Sequence, residues 1–139
     1  MYATPTDLAL RITEAELIRL TDEDDQGEVD ADTIEAALDA ATVEIDSYLA
    51  VRYPLPLADE QPLLVGLCCD LAIWNLYAGV EQAGVPEVRR IRHEQAIATL
   101  KRLAAGAQTL GAPPSSQGSE AAAWTGEAKV FTRSKMRGL

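Results

Sequence analysis

Histidine and cysteine are scarce in this 139-residue sequence, which has one histidine (His93) and two adjacent cysteines (Cys68 and Cys69). Because no second histidine or third cysteine stands at metal-ligand spacing, a zinc site is not predicted. Glycine-rich phosphate loops and nucleophile elbows are also missing from the sequence. The residues therefore give no support to an enzyme, and no cofactor is expected. His93 lies among charged residues, where a lone helical histidine is expected to be a solvated surface group.

Long hydrophobic runs are missing as well. The most apolar stretch, "PLLVGLCCDLAIWNLY" (62–77), is shorter than a membrane span and carries Asp70 at its centre. The opening "MYATPTDLALRIT" lacks the basic and apolar regions of a signal peptide. These features predict a soluble protein without a membrane partner, made in the cytoplasm, with Cys68 and Cys69 as buried free thiols.

Positive charge is scarce in the first part of the chain. Residues 1–60 contain 16 acidic and 3 basic residues, whereas residues 61–110 carry a net charge of +1 and residues 111–139 a net charge of +2. The overall net charge of −10 argues against a protein that coats nucleic acid by neutralising phosphates. An acidic front and a mildly basic tail indicate two ends with different roles.

The remaining pattern is helical. Capping residues and prolines predict helices that begin at Pro5, after Thr13, after Asp30 or Asp32, at Pro62 and at Pro86. The third has an apolar stripe, and the fourth is apolar nearly all round, as a central helix would be. The predicted fold is all-α: a compact bundle of about four to five helices over residues 1–110. Residues 111–139 form a linker and an extended C-terminal arm that is capable of adding a short β-strand to a partner.

The arm contains large and basic side chains in a segment too polar to fold alone. Large aromatic side chains in such a segment, here Trp124 and Phe131, usually occupy a pocket, either on the protein's own core or on a partner. The residues predicted to bind a partner are Trp124, Lys129, Val130, Phe131, Arg133, Lys135, Met136 and Arg137.

The loop "LTDEDDQGEVDAD" (20–32) has the spacing of a calcium loop in its first half. Its candidate oxygen ligands are Asp22, Asp24, Gln26, Glu28 and Asp30, with Gly27 where the sharp turn belongs. The last ligand position holds Thr33, which cannot supply a bidentate carboxylate. A solvated turn that caps the next helix explains the same residues and is preferred. A small calcium-binding module remains the alternative function.

Three arginines, Arg89, Arg90 and Arg92, lie at the start of the last predicted helix. One interpretation is a solvated face with intrachain pairs to Glu87 or Glu94. The other is pairing with the acidic front of a neighbouring copy, in which case Arg89, Arg90, Arg92, Asp39 and Glu44 form a ring interface.

Several segments together resemble a known family: "MYATPTDL", "ELIRLTD", "EIDSYLAVRYPLPL", "CCDLAIWNLY" and "VFTRSKMRGL". They resemble the Mu-like prophage proteins that are grouped with head-tail connector (adaptor, or head-completion) proteins of tailed phages. The resemblance runs from Met1 to Leu139, with Gln26 and Glu28 as departures from a loop that is richer in Asp and Gly in relatives.

The resemblance implies a structural, non-enzymatic protein of the virion neck. Such proteins form a homo-oligomeric ring, expected to have twelve copies, beneath the portal protein. The ring extends the channel through which the genome DNA passes without sequence-specific binding, and it docks a tail-proximal neck or stopper protein.

Overall fold

The computed structural model describes residues 1–80 and 84–111, and regular structure in these residues is exclusively helical. The five helices are α1 (Pro5–Ala9), α2 (Glu14–Thr21), α3 (Ala31–Leu49), α4 (Pro62–Ala78) and α5 (Glu87–Ala105). The predicted all-α class is therefore confirmed. The predicted arm strand, with most of the segment 111–139, lies outside the described residues.

Threonine side chains start the first two helices, as predicted. The hydroxyl of Thr4 accepts the amide N–H of Asp7 at 3.1 Å, and the Asp7 carboxylate accepts the amide N–H of Thr4 at 2.9 Å, which completes a capping box. The hydroxyl of Thr13 accepts the amide N–H of Glu16 at 3.2 Å. The carboxylate of Glu16 does not return to this cap but is directed to other helices, as described below.

The start of α3 and the end of α5 are set by Asp30 and Gly106. Asp30 caps α3, because its carboxylate accepts the amides of the second and third helical residues. Gly106 ends α5 in the left-handed conformation (φ 82°), and a Cβ atom there would lie 2.5 Å from Nη1 of Arg52. The segment after α3 therefore packs directly against the end of α5.

Helix α4 is the centre of the bundle, since it contacts each of the other four helices. Its buried residues occupy all sides of the helix and are Leu64, Leu67, Cys68, Cys69, Leu71, Ala72, Ile73, Leu76 and Tyr77. Both predicted thiols are free and buried. Burial raises the pKa of the Cys69 thiol to about 11, so it is held in its neutral, unreactive form.

Helix α3 presents the predicted stripe to α4. Its buried residues are Ile34, Ala37, Leu38, Ala41, Ile45 and Leu49. After α5 the chain stays close to the segment that follows α3, because the amide of Leu110 donates to the hydroxyl of Tyr53 at 3.2 Å. The described chain therefore ends at Gly111 beside residues 52–57.

The burial of α3 gives a direct test of the core. Ile45 is fully buried, whereas Val43 on the same helix is 69% exposed. We expect Ile45→Ala to lower the free energy of unfolding by about 2–5 kcal/mol through lost apolar burial and a residual cavity. Val43→Ala is the matched control, with an expected change within about 0.5 kcal/mol. Urea unfolding followed by circular dichroism measures both, and equal effects would contradict this packing.

Candidate functional site

A groove of about 470 Å³ lies where three helical segments meet. We call it the cationic groove, and it is lined by Leu10, Arg11, Asp70, Arg89 and Arg92. The first two residues follow α1, Asp70 lies in the middle of α4, and the two arginines lie in the first turns of α5. Because Arg89 and Arg92 are three residues apart, they share one face of α5. The groove thus gathers three guanidinium groups around one carboxylate.

One of the three arginines is fixed by the bundle itself. Arg89 forms an ion pair with Glu16 on α2 at 3.2 Å, and both side chains are largely buried. The same guanidinium is 3.5 Å from the carbonyl oxygen of Arg11. Sequence reasoning did not identify Glu16 as the partner, because residues 16 and 89 are far apart in the chain and no local pattern links them.

Tyr77 completes this network from the central helix. Its hydroxyl donates a hydrogen bond to Glu16, and Arg19 donates to the same hydroxyl at 3.3 Å. Burial is the largest influence on the Glu16 carboxyl and raises its pKa, but the hydrogen bonds from Tyr77 and Arg89 outweigh burial. The pKa of Glu16 is therefore lowered from its ordinary value of 4.5. The network ties α2, α4 and α5 together.

The other two arginines of the groove are available for a partner. Arg11 donates to the carbonyl oxygen of Asp7 at 3.3 Å, a bond that uses one of its five N–H donors. Among the described residues, neither Arg11 nor Arg92 takes part in an ion pair. Two guanidinium groups with free donors suit carboxylates, which they can bind in a bidentate manner.

Asp70 is the half-buried carboxylate of the groove. Burial raises its pKa as the largest influence, and the positive charges of Arg92, Arg11 and Arg89 only partly offset that effect. The sequence signal for Asp70 was its position inside an apolar run; Arg11 carried no such signal.

The predicted arginine cluster is divided by the structure. Arg90 pairs with Glu87 at 3.4 Å and with Glu94 at 2.7 Å on its own helix, which confirms the intrachain interpretation for this residue. Arg89 is bound to Glu16, and Arg92 faces the groove. The ring-interface role assigned to Arg89, Arg90 and Arg92 stays a prediction. Of the three, Arg92 suits this role best, because it takes part in no ion pair among the described residues.

The exposed side of α3 is acidic. Glu35, Asp39 and Val43 follow one another at intervals of four residues, share one side of the helix and are exposed. We call this side, which includes the predicted interface residue Asp39, the acidic face. The other predicted interface residue of α3, Glu44, is half-buried and lies about 140° around the helix from Asp39. Exposed aliphatic groups accompany the charges on both surfaces: Val43 here, and Leu10 (79% exposed), Val88 (55%) and Ile91 (39%) beside the cationic groove.

The loop between α2 and α3 is held by its own hydrogen bonds. Asp22 uses one carboxylate oxygen for the amide of Gln26 at 2.9 Å and the other for the amide of Gly27 at 2.7 Å. The buried hydroxyl of Thr21 accepts the amide of Asp30 at 3.0 Å and so closes the base of the loop. The carboxylates of Asp22 and Asp30 therefore serve backbone amides.

Two further predictions concern metal binding and membranes. In residues 1–80 and 84–111, no group of three or more His, Cys, Asp or Glu side chains is placed to hold a metal ion. The turn stays the preferred prediction for this loop, with the calcium loop, whose further candidate ligands are Asp24, Gln26 and Glu28, as the alternative. Within the same residues, no helix combines the length and apolar character needed to cross a bilayer.

The prediction for His93 is wrong. Its ring is half-buried and stacks on Trp74 of α4, with ring centroids 4.3 Å apart and an interplanar angle of 12°. The stacking joins α5 to the central helix, and the sequence analysis missed it because the two residues lie on different helices.

The predicted partner-binding residues of the arm lie outside the described residues; they are Trp124, Lys129, Val130, Phe131, Arg133, Lys135, Met136 and Arg137.

The chain matches the model of the family "Bacteriophage Mu, Gp36" over residues 2–129. It therefore belongs to the bacteriophage Mu Gp36 family, and its resemblance to Mu-like phage proteins is confirmed. It is 32% identical to the Mu-like prophage FluMu protein gp36 of Haemophilus influenzae over 111 residues, which cover 80% of this chain and 76% of the relative. It is 42% identical to gene product J of Escherichia phage Mu over 76 residues, which cover 54% of each chain.

The Glu16 network predicts a pH-dependent contribution to stability. We expect Glu16→Gln to lower the free energy of unfolding by about 1–3 kcal/mol at pH 7, because a hydrogen-bonded carboxylate is lost beside Arg89. The folded pKa of Glu16 is depressed, so its contribution is complete above the unfolded value near 4.5 and is lost as the pH falls through the folded pKa. The difference between wild type and variant should therefore shrink towards pH 3.

Urea midpoints at pH 7 and pH 3 measure this difference. Glu14→Gln is the matched control, because Glu14 is exposed on the same helix. A penalty for Glu16→Gln that stayed constant between the two pH values would rule out a depressed carboxyl pKa as its cause.

Proposed function

We propose that this protein is a structural head-tail connector (adaptor) of a Mu-like phage or prophage, located in the neck of the virion. In this role copies of the chain form a closed ring, of twelve copies, below the portal protein. The ring extends the DNA channel and offers a docking surface to the next neck or tail protein. The protein performs no reaction. Membership of the bacteriophage Mu Gp36 family gives this proposal its context.

The observation that carries the proposal is the division of charge between two surfaces of one helical body. A closed ring requires a heterologous interface, in which one surface of each copy contacts a different surface of the next. The cationic groove and the acidic face are such a pair, since they lie on different helices and carry opposite charges. Each also has exposed aliphatic side chains, which can form the apolar centre of an interface with a charged rim.

The two arginines of the cationic groove that form no ion pair among the described residues determine which surface of the next copy this groove contacts. Arg11 and Arg92 meet the carboxylates of the acidic face, Glu35 and Asp39, on the neighbouring copy, while Arg89 keeps its own bond to Glu16. Electrostatic complementarity of this kind selects the register and rejects contacts between like surfaces. Carboxylates left exposed in the ring repel phosphates, so the genome passes through the channel without adhering to it.

Charge reversal in the groove tests the ring contact. We expect Arg92→Glu to weaken self-association by about tenfold or more, because the variant places like charges opposite each other. Lys101→Glu is the matched control, since Lys101 is exposed and lies further along the same helix. Adding Asp39→Arg to the Arg92→Glu chain should restore association. Sedimentation velocity over a concentration series measures all four proteins, and wild-type assembly by Arg92→Glu would overturn the contact.

Removal of residues 128–139 tests the contribution of the arm. The helical body does not depend on these residues for its described core, so we expect the truncated chain to keep its helical circular dichroism and its urea midpoint. Its assembly in sedimentation velocity should be lost or strongly reduced. A truncated chain that formed the full assembly would remove the arm from the proposed function.

A further inference from the structure

A second groove, of about 600 Å³, lies on another part of the surface. We call it the acidic groove. Its floor includes Thr42 and Asp46 of α3, and its walls are the N-terminal residues and the segment 55–61. The N-terminal wall is held in place by Tyr2, whose amide donates to the hydroxyl of Thr42 at 3.3 Å and whose hydroxyl donates to Asp46. The groove is therefore a formed feature of the bundle.

Four carboxylates line this groove, and none of its described lining residues is a lysine or an arginine. Asp7 and Asp46 are bound within the chain, to Thr4 and to Tyr2. Asp59 and Glu60 take part in no ion pair among the described residues and are exposed. The groove thus offers unneutralised negative charge along the wall formed by segment 55–61.

The same wall is partly apolar. Leu55 and Leu57 are half-buried against the core, Pro56 between them is exposed, and Val65 of α4 also lines the groove. A partner that fits this surface combines positive charge with apolar side chains. The loop 22–30 is also acidic, but none of its residues lines the acidic groove.

One segment of this chain has the complementary chemistry. Residues 128–139, "AKVFTRSKMRGL", contain four cations and no acidic residue, together with Val130, Phe131 and Met136. The described chain ends at Gly111, next to Tyr53 and therefore close to the wall that begins at Leu55. The 18 residue-to-residue steps from Gly111 to Lys129 span up to about 60 Å when extended, roughly twice the width of a 100-residue domain.

We infer that the acidic groove of each copy binds the basic arm, residues 128–139, of a second copy. The length of chain between Gly111 and the arm is enough to reach the groove of a neighbouring copy, which a closed ring places beside it. Val130 and Phe131 contact the apolar wall, and the cations of the arm pair with Asp59 and Glu60. This inference rests on the self-assembly in the proposed function and names the surface that receives the arm.

Photo-cross-linking in the full chain tests the inference. Phe131 is replaced by the photoreactive residue p-benzoylphenylalanine, and equal amounts of ¹⁵N-labelled and unlabelled protein are assembled, irradiated and mapped by mass spectrometry. We expect cross-links from position 131 of one copy to residues 1–7 or 55–65 of another, seen as heavy–light pairs.

Charge reversal makes the result specific. Asp59→Lys with Glu60→Lys should lower the yield of these heavy–light pairs by about tenfold or more, since like charges then face each other. Glu23→Lys with Glu28→Lys is the matched control, because it makes the same change in charge on the exposed loop outside the groove. Adding Arg133→Glu and Arg137→Glu to the groove variant should restore the pairs.

Cross-links confined to single copies, or mapped to other surfaces of an assembled ring, would overturn the inference while leaving the proposed function intact. A wild-type protein that stayed monomeric in sedimentation velocity would overturn both. Equal loss of heavy–light pairs in the groove variant and the loop control would show an effect of total charge and would also overturn the groove as the binding site.

Discussion

The structure depends on the burial of one helix that is apolar on nearly every side. Helix α4 has buried residues around most of its circumference, with Asp70 as the half-buried exception, so other helices must cover most of it before its burial is favourable. The four other helices meet this requirement by packing around it. This constraint fixes how the four helices are arranged around α4 and brings together residues from both ends of the described chain. The sides of these helices that face away from α4 are the surfaces available to partners.

The polar contacts around α4 decide which charges remain free. Tyr77 and Trp74 at the edges of this helix hold Glu16 of α2 and His93 of α5, and Glu16 in turn holds Arg89. Arg11 and Arg92 lie beside this network without an ion pair among the described residues. A half-buried network of this kind is satisfied internally and rigid, so it positions the free arginines without competing with a partner for them.

The surface of the helical body carries the features on which the proposed ring depends. The chain belongs to the bacteriophage Mu Gp36 family, and its helical body carries two pairs of complementary features. One pair is the cationic groove with the acidic face, and the other is the acidic groove with the basic arm. In the proposed ring each pair joins neighbouring copies in one direction, so assembly neutralises charge that the isolated chain leaves exposed.

The sequence by itself determined the helices, because caps, prolines and apolar periodicity are local signals. The helix starts at Pro5, after Thr13, after Asp30 and at Pro62 were predicted correctly, as was the stripe of α3, and α5 begins one residue after the predicted Pro86. Only the tertiary structure decided which side chains are paired between different helices. The partners of Glu16 and His93 lie on other helices, and the acidic groove is formed by segments distant in the chain. Side-chain pairing across helices depends on the distances and angles at which the helices pack. The residue spacing within a single helix does not determine these distances and angles.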